Sequence, residues 1–289
     1  MCRMEDDVRP SQEVVAELEA LLLNASHPVV RLRDAHGDLA AHLAHPCVAQ
    51  LVQALYEVDE VLMRFDLASV ADEGAGFALA LRRRQAIEHF DSAFDEALGR
   101  VHAVRHEAAR VTLAASARGS TLSPHVVQLR RELHTLHRFV TRSQALLEEM
   151  SLSLAGQTLG RGAYPAATAL VRRAIGLQEL HATGRQLIDH LRHCEEAFAA
   201  LIVRLKHELA PTYVEWKRLL APVAMRAFEP EPQPLELPEA REVHALLQRQ
   251  VGTACETAQA FEAAQRQLEE SVDALGRRAR AALEPGAGS

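Results

Sequence analysis

The chain predicts an all-α fold, an elongated antiparallel bundle of long helices with a C-terminal coiled-coil-like helix. Three observations carry that expectation. No stretch alternates apolar and polar residues with the period of a strand. Ala and Leu dominate a hydrophobic content of 48%, while aromatics supply only 4%, so the core must be built by thin, repetitive packing. The last fifty residues carry a heptad: Leu247, Val251, Ala254, Ala258, Phe261, Leu268, Val272, Leu275 and Ala279 recur in steps of four and three, with Gln265 filling one apolar slot. That rhythm puts one side of a helix against other helices.

The elements follow in order. Residues 1–10 are polar and read as a flexible N-terminus. Ser11 is an expected N-cap for a first helix with Val14, Val15, Leu18, Leu21 and Leu22 on one face. Residues 24–28 end it, and a second helix is expected over 29–43. Pro46 suits the first turn of a third helix, where a missing N–H costs nothing, with Val48, Leu51, Val52, Leu55, Val58, Leu62 and Phe65 inward. Gly74 and Gly76 mark a loop over 66–76. A long helix over 77–117 follows, with Leu81, Ile87, Phe90, Phe94, Leu98, Val101, Val104 and Val111 as its stripe. Ser123-Pro124 starts the next, which runs to about Leu154 through Val127, Leu133, Leu136, Val140 and Leu147.

Gly156, Gly160, Gly162 and Pro165 form a connection. A helix over 166–209 carries Leu170, Ile175, Leu180, Leu187, Leu191, Cys194, Phe198, Leu201 and Leu205, with Gly176 and Gly184 loosening its first half. Pro211 is expected to break or kink it. A short helix then holds Tyr213, Trp216, Leu219 and Leu220. Prolines 230, 232, 234 and 238 make residues 229–238 an extended acidic linker. The expected domains are thus a bundle over 11–228, the linker, a heptad helix over 239–284 and a tail over 285–289.

Composition excludes several functions. With 289 residues and a formal net charge of −7, the chain lacks the concentrated basic face of a nucleic-acid binder. The runs Arg82-Arg83-Arg84, Arg130-Arg131 and Arg277-Arg278 are short and read as solvated helix faces. The four cysteines, Cys2, Cys47, Cys194 and Cys255, are far apart, which suits reduced thiols in a cytoplasmic protein. No apolar run approaches the ~20 residues of a spanning helix.

The chemistry-bearing residues point away from catalysis. His102 and His106, His134 and His137, and His190, His193 and Cys194 each share a turn or a face, but a metal site needs three or four ligands and a second shell. No histidine follows a Glu by three residues, as di-iron bundles require. HExxH, the phosphate-loop motif, GxGxxG and GxSxG are absent. Cys194 lies on the apolar stripe, about 100° around the helix from His193, and reads as a buried structural thiol. Metal and cofactor are both expected to be none. Trp216 stands near Tyr213 and Lys217; the ring either plugs the bundle or, with the cation, anchors a membrane surface or partner.

From 166 to 220 the order of features resembles the TelA-like toxic-anion (tellurite) resistance family. The matching residues are Leu177-Gln178, Leu187-Ile188 and Leu209 to Lys217, followed by the heptad helix from Glu239. The family tends to place Trp two residues after the Pro, a position Tyr213 holds here. The resemblance implies a non-enzymatic stress-resistance protein and carries over no catalytic residue.

The expected function is therefore a non-enzymatic, cytoplasmic, bacterial helical bundle working through helix–helix contacts. Leu247, Ala254, Phe261, Leu268, Val272 and Leu275 are the expected interaction face, either packing on the bundle or joining a protein partner or a second copy. The alternatives are peripheral binding to an anionic membrane through the arginine runs, Trp216, Lys217 and Tyr213, and a metal-binding helical-bundle enzyme.

Overall fold

A computed structural model describes residues 9–43, 47–70, 77–111, 124–155, 164–225 and 237–283. Among these there is no strand, and the fold is all-α. The helices are α1 (Arg9–Asn24), α2 (Ser26–Leu43), α3 (Cys47–Arg64), the short α4 (Leu67–Val70), α5 (Phe77–Val111), α6 (Pro124–Ala155), α7 (Tyr164–Val203), a π-helical turn (Arg204–Leu209), α8 (Ala210–Met225) and α9 (Leu237–Leu283).

Several boundaries differ from the expected ones for identifiable reasons. Helix α1 starts at Arg9, so Ser11 lies inside it rather than capping it. Helix α2 starts at Ser26, because Pro28 falls in its first turn, where its missing N–H is harmless. The join is tight: Ala25 N–H donates to Leu21 O at 2.9 Å, and the buried stripe passes through Leu22, Ala25, Val29 and Leu32 without a gap. Within the expected loop over 66–76, Leu67–Val70 is helical. Pro238 sits in the first turn of α9. The N-terminal residues 1–8, the glycine pair at 74 and 76, the connection over 156–163, most of the proline-rich linker and the tail over 285–289 lie outside the described residues.

The chain divides into two compact units, each assembled from separate stretches of sequence, a division the sequence pattern does not announce. Unit 1 comprises residues 1–44, 116–192 and 267–289; unit 2 comprises 45–115 and 193–266. Helices α7 and α9 contribute residues to both, so the heptad helix is not a separate appendage.

In unit 1, α1 and α2 run antiparallel to α6. Arg142 Nε donates to Glu17 at 2.9 Å, and Arg31 Nε donates to Glu132 at 2.9 Å, so the register falls on α6 as it rises on α1 and α2. Helix α6 lies antiparallel to α7, with Leu133 against Gly184 and the His137 ring against His181. Helix α7 in turn lies antiparallel to α9, through Glu179 with Arg278 and His190 with Ser271. The buried face of α6 runs through Val126, Leu129, Leu133, Leu136, Val140 and Ser143 in alternating steps of three and four, and continues through Leu146 and Met150 after a repeated step of three. Val127, expected inside, is exposed; one residue of register separates the two readings.

Unit 2 follows the same logic. Helix α3 buries Leu51, Leu55, Val58 and Leu62; α5 buries Ile87, Phe90, Phe94, Ala97 and Val101. Leu81 is exposed, and Ala97 rather than Leu98 holds the inward slot. These two helices are antiparallel, joined by Arg100 with Glu57 at one end and Phe65 against Phe90 at the other.

Along α7 the buried positions 177, 180, 184, 187, 191, 194, 198, 201 and 205 alternate steps of three and four. A regular helix would put Glu208 next on that stripe. Leu209 takes the place instead, and the alternation resumes through Tyr213, Trp216 and Leu220. The one-residue slip is the π-turn, in which Ala210 N–H reaches back five residues to Leu205 O. Pro211 explains it. A proline inside an α-helix clashes with the carbonyl four residues earlier and donates nothing to it. A wider turn moves that carbonyl aside, so Ala210 keeps helical angles (φ −60°, ψ −46°) and the helix continues. Pro211 was expected to break or kink the helix; it shifts its phase by one residue.

Glycine tests the packing directly. A Cβ on Gly184 would lie 2.1 Å from Leu133 Cδ2, whereas a Cβ on Gly176 would meet nothing within 4 Å. Ala is worth ~1 kcal/mol over Gly in a helix, and overpacking a core costs ~1–3 kcal/mol. Gly176→Ala should therefore raise the thermal midpoint, and Gly184→Ala should lower it. The same change of sign should appear in urea unfolding.

Candidate functional site: the Tyr213–Trp216–Lys217 cluster

The turn shift at 204–209 brings Tyr213 and Trp216 onto the inner face of α8, against α5 and α9. Tyr213 packs on Phe94 with the rings tilted by 37° and their centroids 4.3 Å apart. Trp216 packs on Phe90 at 4.5 Å and edge-on to Phe65 at 5.4 Å. Three elements thus supply one aromatic nest, in a chain where rings are scarce.

Polar groups close this nest on two sides. The Tyr213 hydroxyl donates to Asp91 Oδ1 at 2.8 Å. Lys217 Nζ lies 2.9 Å from Asp91 Oδ1 and 2.6 Å from Asp95 Oδ2, and 4.8 Å from the Tyr213 ring centroid. Asp91 and Asp95 are one turn apart on α5, so both carboxylates face the same lysine. Burial, and then the hydrogen bond to Asp91, hold the Tyr213 phenol far above its ordinary pKa, so it stays a donor. Burial opposes the charge on Lys217, but Asp95 and Asp91 outweigh it and raise the ammonium above its ordinary value. On the other side, Trp216 Nε1–H donates to His244 Nδ1 at 3.2 Å, and both residues are buried.

Of the two readings open to the sequence, the rings take the one that plugs the packing and do not form a surface anchor. Trp216 is 2% exposed and Tyr213 4% exposed, while only Lys217 reaches solvent. The rings plug the α5–α8–α9 packing, because the phase shift before Pro211 rotates them inward.

The α9 stripe is also inside. Leu247, Ala254, Phe261, Leu268, Val272 and Leu275 are all buried within the single chain, and the same alternation extends N-terminally to His244 and Ala240. Phe261 meets Phe198 of α7 at 5.0 Å. The six residues therefore form a core face of the folded chain, covered by its own helices, rather than an open docking face. His244 escaped the sequence reading because a polar residue occupies a heptad slot; its signal was its spacing, three residues before Leu247.

The histidine clusters are distributed differently from their spacing. His137 stacks with His181 of α7 at 5.0 Å and 26°, across helices and not with His134. His190 Nδ1 lies 2.5 Å from Ser271 Oγ. His193 is exposed, while Cys194 is buried. His102 is pushed below its ordinary pKa by burial and then by Arg105, His106 and Lys206, a setting that repels a metal cation. Burial, with Asp59 and Glu256, pushes the Cys255 thiol up to about 11, so it is a poor nucleophile at neutral pH. Among the described residues, no group of three or more His, Cys, Asp or Glu side chains could hold a metal ion, and no helix is long and apolar enough to cross a membrane.

Comparison of the chain with protein-family models, with curated proteins and with solved structures finds no match.

Asp91 shares its carboxylate between Tyr213 and Lys217, so the two contacts should be coupled. Tyr213→Phe removes a hydrogen bond to a charged acceptor and should cost about 1.5–3 kcal/mol in urea unfolding. Combining it with Lys217→Met should depart measurably from additivity; strict additivity would mean that Asp91 does not join them.

Proposed function

We propose that this chain is a non-enzymatic helical-bundle protein that acts through its helix surfaces in toxic-anion or envelope stress resistance. The observation that carries the first half is how its reactive groups are used. Tyr213 and Lys217 are held by Asp91 and Asp95, Trp216 by His244, and His190 by Ser271. Each pair ties one helix to another. The two buried thiols sit in packed surroundings. Groups spent on holding helices are poorly placed to bind and turn over a substrate.

The second half rests on the resemblance over 166–220. Its most specific stretch, Leu209 to Lys217, is the segment that the π-turn and Pro211 steer into the core of unit 2. That gives the motif a structural reason: it sets the phase of α8 and delivers its rings to α5 and α9. The α9 stripe being covered, a protein partner would meet outward-facing residues, among which Leu23, Met63 and Val214 are the most exposed apolar ones. A cytoplasmic location suits this reading and its reduced thiols.

The test is growth of a tellurite-sensitive bacterium producing the chain. The reading expects tolerance to rise with the intact protein and to return to the control level with Leu268→Asp plus Leu275→Asp, which places two charges in the core. Unchanged tolerance with abundant, folded protein would remove the resistance reading. Stoichiometric metal in the purified protein would argue for an enzyme instead.

A further inference from the structure

We propose that Trp216 and His244 form a proton-sensitive latch between α8 and α9. The chemistry is forced by the donor. An indole nitrogen can only donate, so His244 Nδ1, 3.2 Å away, must accept. The imidazole is therefore neutral, with its proton on Nε2. Gln248 Nε2 lies 3.3 Å from His244 Nε2; turning the amide over exchanges that nitrogen for its oxygen, the atom that can accept the Nε2 proton. A second proton on His244 would set an N–H on Nδ1 directly against the indole N–H. The ring would then be a cation inside an aromatic nest, with Phe65 5.7 Å away. Trp216 cannot compensate, because it presents its N–H edge, the positive edge of the ring, and not its face.

The charges on the surrounding elements do not relieve this. On α8, Lys217 is held by Asp91 and Asp95 of α5, and Arg218 by Glu215. Glu239 of α9 lies 4.0 Å from Arg218. Arg241, Glu242 and Arg249 lie near His244 along α9, Asp66 follows α3, and α5 carries Arg83 together with the Arg84–Glu88 pair. Among the described residues burial is the one influence that moves His244, and it moves it below the ordinary histidine value of 6.5. The sign follows. Above 6.5 both the folded and the unfolded chain hold this histidine neutral, and the latch contributes in full. As pH falls below 6.5 the unfolded chain takes up a proton that the folded chain resists, and the contribution is lost towards the lowered folded value.

Trp216 is the only tryptophan, so emission reports the surroundings of this one indole. Titration of the intact protein from about pH 8 to about pH 5 should leave emission constant at first. It should then lose intensity, with a midpoint below 6.5. His36, His102 and His181 are also lowered by burial and will add to any global acid unfolding, so far-UV circular dichroism must be followed in parallel. His244→Gln offers a carbonyl acceptor that does not titrate, and its emission should stay flat over the range in which the wild type responds. A wild-type emission that never changes while the helices persist, or a His244→Gln protein that titrates like the wild type, would overturn the latch. If that variant does not fold, nitrogen NMR of the wild-type ring decides. A bare Nδ1 at neutral pH is required, and a proton on Nδ1 contradicts the proposal.

Discussion

The structure depends on the burial of one narrow stripe along α9. From Ala240 to Ala279 every step is four or three, and every stripe residue is inside. A helix of 47 residues with such a seam has little else to offer to packing. Each fully buried Leu, Val or Phe is worth ~1.5–3 kcal/mol, so the stripe outweighs any single ion pair on the outward faces. Those pairs, such as Arg84 with Glu88 or Arg100 with Glu96, are exposed i,i+4 contacts of a few tenths of a kcal/mol. They decorate helices whose positions the seams determine. Within unit 2, Phe261 of the stripe meets Phe198 of α7, and His244 meets Trp216 of α8.

The second constraint is phase. Helices that keep a three–four alternation can only stay in register if no residue is gained or lost. The α7–α8 segment gains one at the π-turn, and the sequence downstream is written for the shifted phase: Leu209, Tyr213, Trp216 and Leu220, instead of the positions one residue earlier. Pro211 and the aromatic pair are therefore one device. The proline demands a wide turn, and the wide turn presents the rings to Phe90 and Phe94. Asp91 and Asp95, one turn apart on the same helix, then meet Tyr213 and Lys217 as they arrive.

Much of the fold was legible because long helices with heptad stripes leave few alternatives. Helix α5 begins at Phe77 and α6 at Pro124, where the glycine pair and the Ser-Pro start put them, and α3 ends at Arg64, beside Phe65, the last residue of its expected stripe. Along the stripes several differences are of register, by one residue: Val127 for Val126, Leu98 for Ala97, Leu147 for Leu146, and the exposed Ile175 for Ala174. Small residues such as Ala97 carry the same spacing as Leu but a weaker signal. The division into two units was not legible, because both are assembled from distant segments and share α7 and α9. Of the site, Tyr213, Trp216 and Lys217 were picked out, but whether they faced solvent or core hung on the π-turn. Their partners were hidden: Asp91 and Asp95 look like any surface carboxylates, and His244 interrupts an apolar pattern. Gly184 was read as loosening α7, whereas it is the place where Leu133 of α6 comes closest.

The account stands on α9 being covered by helices of its own chain. Hydrogen exchange along residues 240–279, followed through a dilution series with sedimentation run alongside, measures this most directly. Protection close to the global value over the whole stretch, unchanged on dilution, is the predicted result. Rapid exchange of α9 while the other helices stay protected, or protection that fades as a dimer dissociates, would contradict it.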